Sequence, residues 1–187
     1  LLGSHDGVFW FMLASQPRMP DAKKLLDQSG SMKQLVYSGD YTTYTTWAQV
    51  DQLARTGKAV TNEVSELNWQ PKEGDENAAK PVAAIWTGLL VQPREGAMRI
   101  GIKGDLVALA VDGKVQLAPS SEMKEVDVWL TAGVHEMSVF AAAKQGLKGL
   151  SAMRVRANAS SAQLKLKPFG EADFDLETAK KFFEELK

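Results

Sequence analysis

His5 and His135 are the only histidines, and the chain contains no cysteine. Thiol nucleophiles, disulfides and zinc–thiolate sites are excluded at once. No G-x-S-x-G, phosphate-binding loop or H-E-x-x-H is present, so the enzyme classes built on those parts lack their machinery. The 23 acidic residues could supply a carboxylate pair for glycoside hydrolysis, but that needs a three-dimensional separation. No pair stands out, because Gly39-Asp40 and Asp75-Glu76 fall in turn-like surroundings. His135 lies at the start of an apolar run, where packing or hydrogen bonding is its expected role.

The chemistry that remains is recognition. Trp47, Trp69, Trp86 and Trp129 carry the large apolar rings that either fill cores or stack on sugars. Trp129 differs from the others in falling on the polar phase of its run. A second feature is a charge asymmetry: no acidic residue lies between Glu136 and Glu171, while Lys144, Lys148, Arg154, Arg156, Lys165 and Lys167 do. These six form a basic face. Either the acidic tail from Glu171 to Glu185 neutralises it, within the molecule or across an interface, or it meets an anionic glycan in a salt-sensitive way.

Such residues need a scaffold, and the composition fits one ordinary globular domain. The 187 residues are 44% hydrophobic and 24% charged, enough for a substantial core and too apolar for wholesale disorder. The formal net charge of −1 gives no global attraction to nucleic acid or anionic lipid, so no nucleic-acid partner is expected. The apolar run Val8 to Ala14 is about a third of a bilayer span, so no membrane-spanning segment is expected. Asp6 precedes that run where an export signal carries basic charge, which favours a buried strand or short helix.

Turn formers at Gly3, Gly7, Pro17, Pro20 and Gly30 mark residues 1–36 as a leader that wraps or precedes the domain. Thr46-Trp47-Ala48-Gln49 reads as a capping box opening a helix near 46–56. Trp47, Val50, Leu53 and Ala54 share its apolar face, and Gly57 is suited to close it in the left-handed conformation. Beyond Gly57 the period shifts toward two. Val126, Val128 and Leu130 alternate with Glu125, Asp127 and Trp129, as a strand with one wet face requires. Turn signals at Pro93 to Gly96, Asp112-Gly113, Ala132-Gly133 and Gly146 to Gly149 recur at sandwich-like spacing. About seven or eight strands are expected between 59 and 168, Asp112-Gly113 being a hairpin turn. Residues 169–187 read as a C-terminal helix near 174–186, capped by Asp173 or Asp175, whose Phe182 and Phe183 call for cover.

Four pieces in order, Trp86-Thr87-Gly88-Leu89-Leu90, Pro93-Arg94-Glu95-Gly96, Val111-Asp112-Gly113-Lys114 and Leu130-Thr131-Ala132-Gly133-Val134-His135, resemble the PA14 domain over about residues 60–167. The resemblance implies a mainly β fold, an antiparallel β-sandwich or barrel spanning 37–168, used as an accessory module of exported bacterial proteins. In carbohydrate-binding members two successive aspartates joined by a cis peptide hold a calcium ion that grips sugar hydroxyls. Here that pair falls on Gly104 and Asp105, beside Lys103. Calcium needs six to eight oxygen ligands and its affinity tracks their charge, so calcium-dependent sugar binding is disfavoured and no cofactor is expected.

The resulting expectation is a non-catalytic module that binds carbohydrate or positions a neighbouring domain. Its candidate ligand-binding residues are Trp129, Trp86, Asp105, Asp112 and Lys114. The alternative is an assembly subunit that meets another protein through the basic strands and the C-terminal helix.

Overall fold

The computed structural model describes residues 32–64, 67–69, 79–92, 95–121, 124–146, 150–156 and 167–168. One helix, α1 (Trp47–Thr56), accompanies eleven strands: β1 (Met32–Ser38), β2 (Val60–Val64), β3 (Asn68–Trp69), β4 (Val82–Gln92), β5 (Gly96–Lys103), β6 (Leu106–Val111), β7 (Lys114–Ser121), β8 (Lys124–Leu130), β9 (Gly133–Ala143), β10 (Leu150–Arg156) and β11 (Lys167–Pro168). They form two antiparallel sheets. The first runs β2-β1-β4-β9-β6-β7; the second runs β11-β10-β5-β8, with β3 added beside β10. Ten of the described strands therefore lie between 59 and 168, more than the seven or eight expected, because β3 and β11 are two-residue pieces too short to leave a pattern. The helix expected near 174–186 lies outside the described residues.

The two sheets face each other across one apolar layer. Trp86, Leu90, Leu109 and Val139 of the first sheet meet Met98, Ile100, Ile102 and Val128 of the second, all buried. The other face of the first sheet is covered as well: Ile85, Ala108 and Phe140 pack with Tyr37 and with Val50 and Leu53 of α1. Being buried on both faces, β6, the Val82–Trp86 part of β4 and the Val139–Ala143 part of β9 read as continuous apolar runs, whereas β8 alternates. That difference follows from how many of a strand's faces meet water.

The helix begins as its capping residues dictate. Gln49 Oε1 accepts hydrogen bonds from the amides of Thr45 at 2.9 Å and Thr46 at 3.1 Å. Burying Val50 and Leu53 stabilises the docked helix by about 2 kcal/mol apiece. Two expectations fail here. Ala54 is exposed, because the buried stripe is narrower than the pattern implied. Gly57 sits at φ −71°, so no left-handed residue closes the helix. Glycine is needed there for room: a Cβ would come within 2.6 Å of Leu53 O and 2.7 Å of Tyr37 Cε1.

Strand β1 also redraws the leader. The turn signals assign residues 32–36 to it, yet Met32 to Ser38 pair with β4, and Met32 to Val36 also with β2, inside the first sheet. The Gly30 turn signal gives no hint of this partnership, which links Met32 to Val64 and to Gly88.

Candidate ligand-binding site

The outward face of the second sheet carries the one exposed aromatic among the described side chains. On edge strand β8, Val128 and Leu130 point into the core while Glu125, Asp127 and Trp129 are exposed. Trp129 is 67% exposed. Ala97 stands opposite it on β5 and Arg99 stands opposite Asp127. A small residue across the strand leaves the indole uncovered.

Beside it, Arg99 and Asp127 form a two-point pair: Nε donates to Oδ1 at 2.8 Å and Nη2 donates to Oδ2 at 2.9 Å. Hydrogen bonding from Arg99, reinforced by its charge, holds the Asp127 carboxyl below the ordinary carboxylate range. The same bonds and the charges of Asp127 and Glu125 raise Arg99 further. Fork geometry fixes both side chains in one plane, two residues along the strand from Trp129. Sequence patterning assigned Asp127 to a wet face but could not pair it with a residue 28 positions away, because that needs the β5–β8 register.

The remaining candidates do not converge on this face. Trp86 is 1% exposed, wedged between the sheets, so it cannot stack on a ligand. Its place in a strand buried on both faces is the physical reason. Asp112 is committed to the fold: its Oδ2 lies 2.7 Å from His135 Nδ1 and its Oδ1 accepts the Glu136 amide at 2.9 Å. With φ of 51° and 70°, Asp112 and Gly113 both adopt left-handed backbone, the arrangement of a type I′ hairpin. Lys114 follows on β7 with its side chain in solvent. Of the basic residues, Lys144 is exposed; Lys148 and Lys165 lie outside the described residues. For Arg154, Arg156 and Lys167 only the backbone is described.

Asp105 lies in the β5–β6 connection, where its Oδ2 accepts the Lys144 amide at 3.3 Å. Nearby, hydrogen bonds from Thr42, with help from the Lys144 charge, hold the Asp40 carboxyl below the ordinary range. Of the Gly104-Asp105 pair only Asp105 brings a carboxylate, and that carboxylate already accepts an amide hydrogen bond. The donor set does not fit calcium. Among the described residues no group of three or more His, Asp or Glu is arranged to hold a metal ion, and no cis peptide bond occurs.

Two sheets in this order, the Asp-Gly hairpin and the helix over the first sheet define a PA14-like β-sandwich. No family model matches the chain, and no curated protein matches it. Solved structures do. The PA14 domain of the antifreeze protein MpAFP aligns with a TM-score of 0.56 at 11% identity, over 79% of this chain and 94% of that one. The PA14 sugar-binding domain from an RTX adhesin aligns with a TM-score of 0.57 at 13% identity, over 75% and 95%. The epithelial adhesin 9 A domain from Candida glabrata, solved with Galβ1-3GlcNAc, aligns with a TM-score of 0.50 at 10% identity, over 75% and 87%. At such identities the likeness is one of fold. Among the described residues no helix is long and apolar enough to cross a membrane.

Proposed function

We propose that this chain is a non-catalytic PA14-like module of an exported bacterial protein, and that it binds carbohydrate without calcium on the outward face of the second sheet. The observation that carries this reading is Trp129, a large aromatic ring left 67% exposed beside an ordered polar pair. Indole faces stack on the C–H faces of sugars while neighbouring polar groups take the hydroxyls. Sugar-binding proteins among the structural neighbours agree with this reading. The loop corner that would hold calcium in such modules offers a single carboxylate here, which moves the expected site to the sheet face.

A glycan array probed with and without calcium tests it. Binding to a subset of glycans, unchanged by chelator and lost in Trp129→Ala, is the expected result. An array without signal, or one that responds only in calcium, overturns it. If Trp129→Ala instead dissociates an oligomer in light scattering, the face serves assembly.

A further inference from the structure

We infer that β2 is an open sheet edge through which two copies of this chain pair antiparallel, about a two-fold axis at Asn62. This surface is separate from the Trp129 face and does not depend on the carbohydrate reading.

The sandwich treats its edges unequally. An edge strand offers unpaired amides and carbonyls to any passing strand, and proteins blunt such edges with bulges, prolines, charges or brevity. At one end of the first sheet, β7 carries Pro119 and two register shifts against β6. In the second sheet, β8 exposes Lys124, Glu125 and Asp127, and β11 is a two-residue strand that includes Pro168. The other end of the first sheet is β2, and it is hardly blunted. Its five residues, Val60-Thr61-Asn62-Glu63-Val64, pair with β1 in unbroken register and include no proline. Val60 through Glu63 are all exposed. Glu63, the one charged residue of the strand, stands opposite Lys33 on β1.

The side chains of β2 favour a second copy as the occupant. Val60, Asn62 and Val64 stand opposite Val36, Gln34 and Met32, so they share the face turned toward the layer between the sheets, where Met32, Val36 and Val64 pack. Val60 is left 65% exposed at the rim of that layer. Antiparallel pairing about Asn62 sets Val60 opposite Val64 of the second copy on both sides of the axis, which carries the apolar layer across the edge. Asn62 is also self-complementary. Its Nδ2 donates to Oε1 of the buried Gln34 at 2.9 Å, which holds the amide in place. Among the described residues the second Nδ2 hydrogen and Oδ1 remain, and each can bond the opposite group of Asn62 in the second copy. Any extended peptide could meet the backbone of this edge. Its side chains are matched by a strand with valines two residues to either side of an amide, and β2 is itself such a strand.

Sedimentation equilibrium of the 187-residue chain over a range of concentrations tests this. The wild type should pass from monomer to dimer as concentration rises. Val60→Lys places a charge in the paired rim and should weaken the dimer at least about tenfold, with the melting temperature of the monomer unchanged because the side chain is exposed. Circular dichroism checks that the variant folds. Because the chain has no cysteine, single spin labels can be attached through Thr61→Cys and through Glu63→Cys. Equal copy-to-copy distances at these two positions place the axis at Asn62, and unequal distances refute that register. A chain that stays monomeric at every concentration overturns the inference. So does a dimer that Val60→Lys leaves intact, since its contact then lies on another surface.

Discussion

His135 Nδ1 lies 2.7 Å from Asp112 Oδ2, and the opposite ring nitrogen lies 3.0 Å from the Thr131 carbonyl oxygen. Both partners accept hydrogen bonds only, so the ring satisfies both by carrying two protons. Asp112 adds two backbone ties to Glu136, one through Oδ1 and one through its own amide at 2.8 Å. The β6–β7 hairpin and the β8–β9 connection are thereby fastened to β9 at the part-buried His135–Asp112 pair. That connection begins directly after Leu130 and so anchors the end of the strand bearing Trp129.

The first prediction concerns pH. Burial alone would push the His135 pKa down, but hydrogen bonding to Asp112, the bond to Thr131 and the Asp112 charge outweigh it and raise the value above 6.5. The folded state then holds a proton that the unfolded chain has released, so stability falls as pH rises through this interval. The contribution is complete below about pH 6.5 and is lost above the folded-state value. Urea melts from about pH 6 to pH 9 should show declining stability, and His135→Gln should be weaker throughout and flatter over that interval. Stability that is level or climbs with pH in the wild type would contradict the doubly protonated ring.

Two glycines are expected to fail for different reasons. Gly113 has φ +70° with nothing within 4 Å of an added Cβ, whereas Gly57 has ordinary φ but a Cβ would strike Leu53 O and the Tyr37 ring. Gly113→Ala should cost about 1 kcal/mol from backbone strain alone. Gly57→Ala should cost about 1–3 kcal/mol from overpacking, and Tyr37→Leu should relieve part of it. Gly113→Asn, which tolerates left-handed backbone, should recover most of the Gly113→Ala loss. Denaturant melts of the four variants measure both effects.

Much of this architecture was legible because the relevant signals are local. Asp112-Gly113 marks a hairpin wherever it falls between apolar runs, Thr46 to Gln49 caps a helix from within four residues, and β8 alternates because only one of its faces is wet. The site was less legible because its key relation is not local. Trp129 could be assigned to a wet face, but Arg99 joins it only through the register that sets Arg99 opposite Asp127. Trp86 misled for the converse reason: in a strand covered on both sides, apolar continuity conceals which face a ring occupies. Residues 32–36 of β1 were missed because their partners lie far along the chain.

The two tryptophans should therefore separate cleanly on substitution. Trp86→Ala removes a ring from the layer between the sheets and should cost about 3–5 kcal/mol. Its indole nitrogen has no hydrogen-bond partner among the described residues, so Trp86→Phe should be much milder, the loss of volume being partly offset by removal of an unsatisfied N–H. Trp129→Ala should change stability by less than about 0.5 kcal/mol while abolishing ligand binding. Thermal melts in parallel with the glycan array decide the matter, and a large destabilisation by Trp129→Ala would show that the ring is structural.

Calcium provides the last prediction. A ligand that binds only the folded state raises its melting temperature in proportion to the logarithm of its concentration above Kd, so a working site would reveal itself without any sugar present. At the β5–β6 corner Asp105 accepts the Lys144 amide, and Lys144 also bears on Asp40. A divalent cation entering there would displace a hydrogen bond, and the Gly104-Asp105 pair would offer it one carboxylate in return. Millimolar calcium should leave the melting temperature of the wild type where chelator leaves it. The double substitution Gly104→Asp with Lys144→Ala supplies a second carboxylate and removes the cation; a calcium-dependent rise in that variant alone would identify these two positions as the reason the corner rejects the metal. A rise in the wild type would instead mean that the ligands come from elsewhere in the chain.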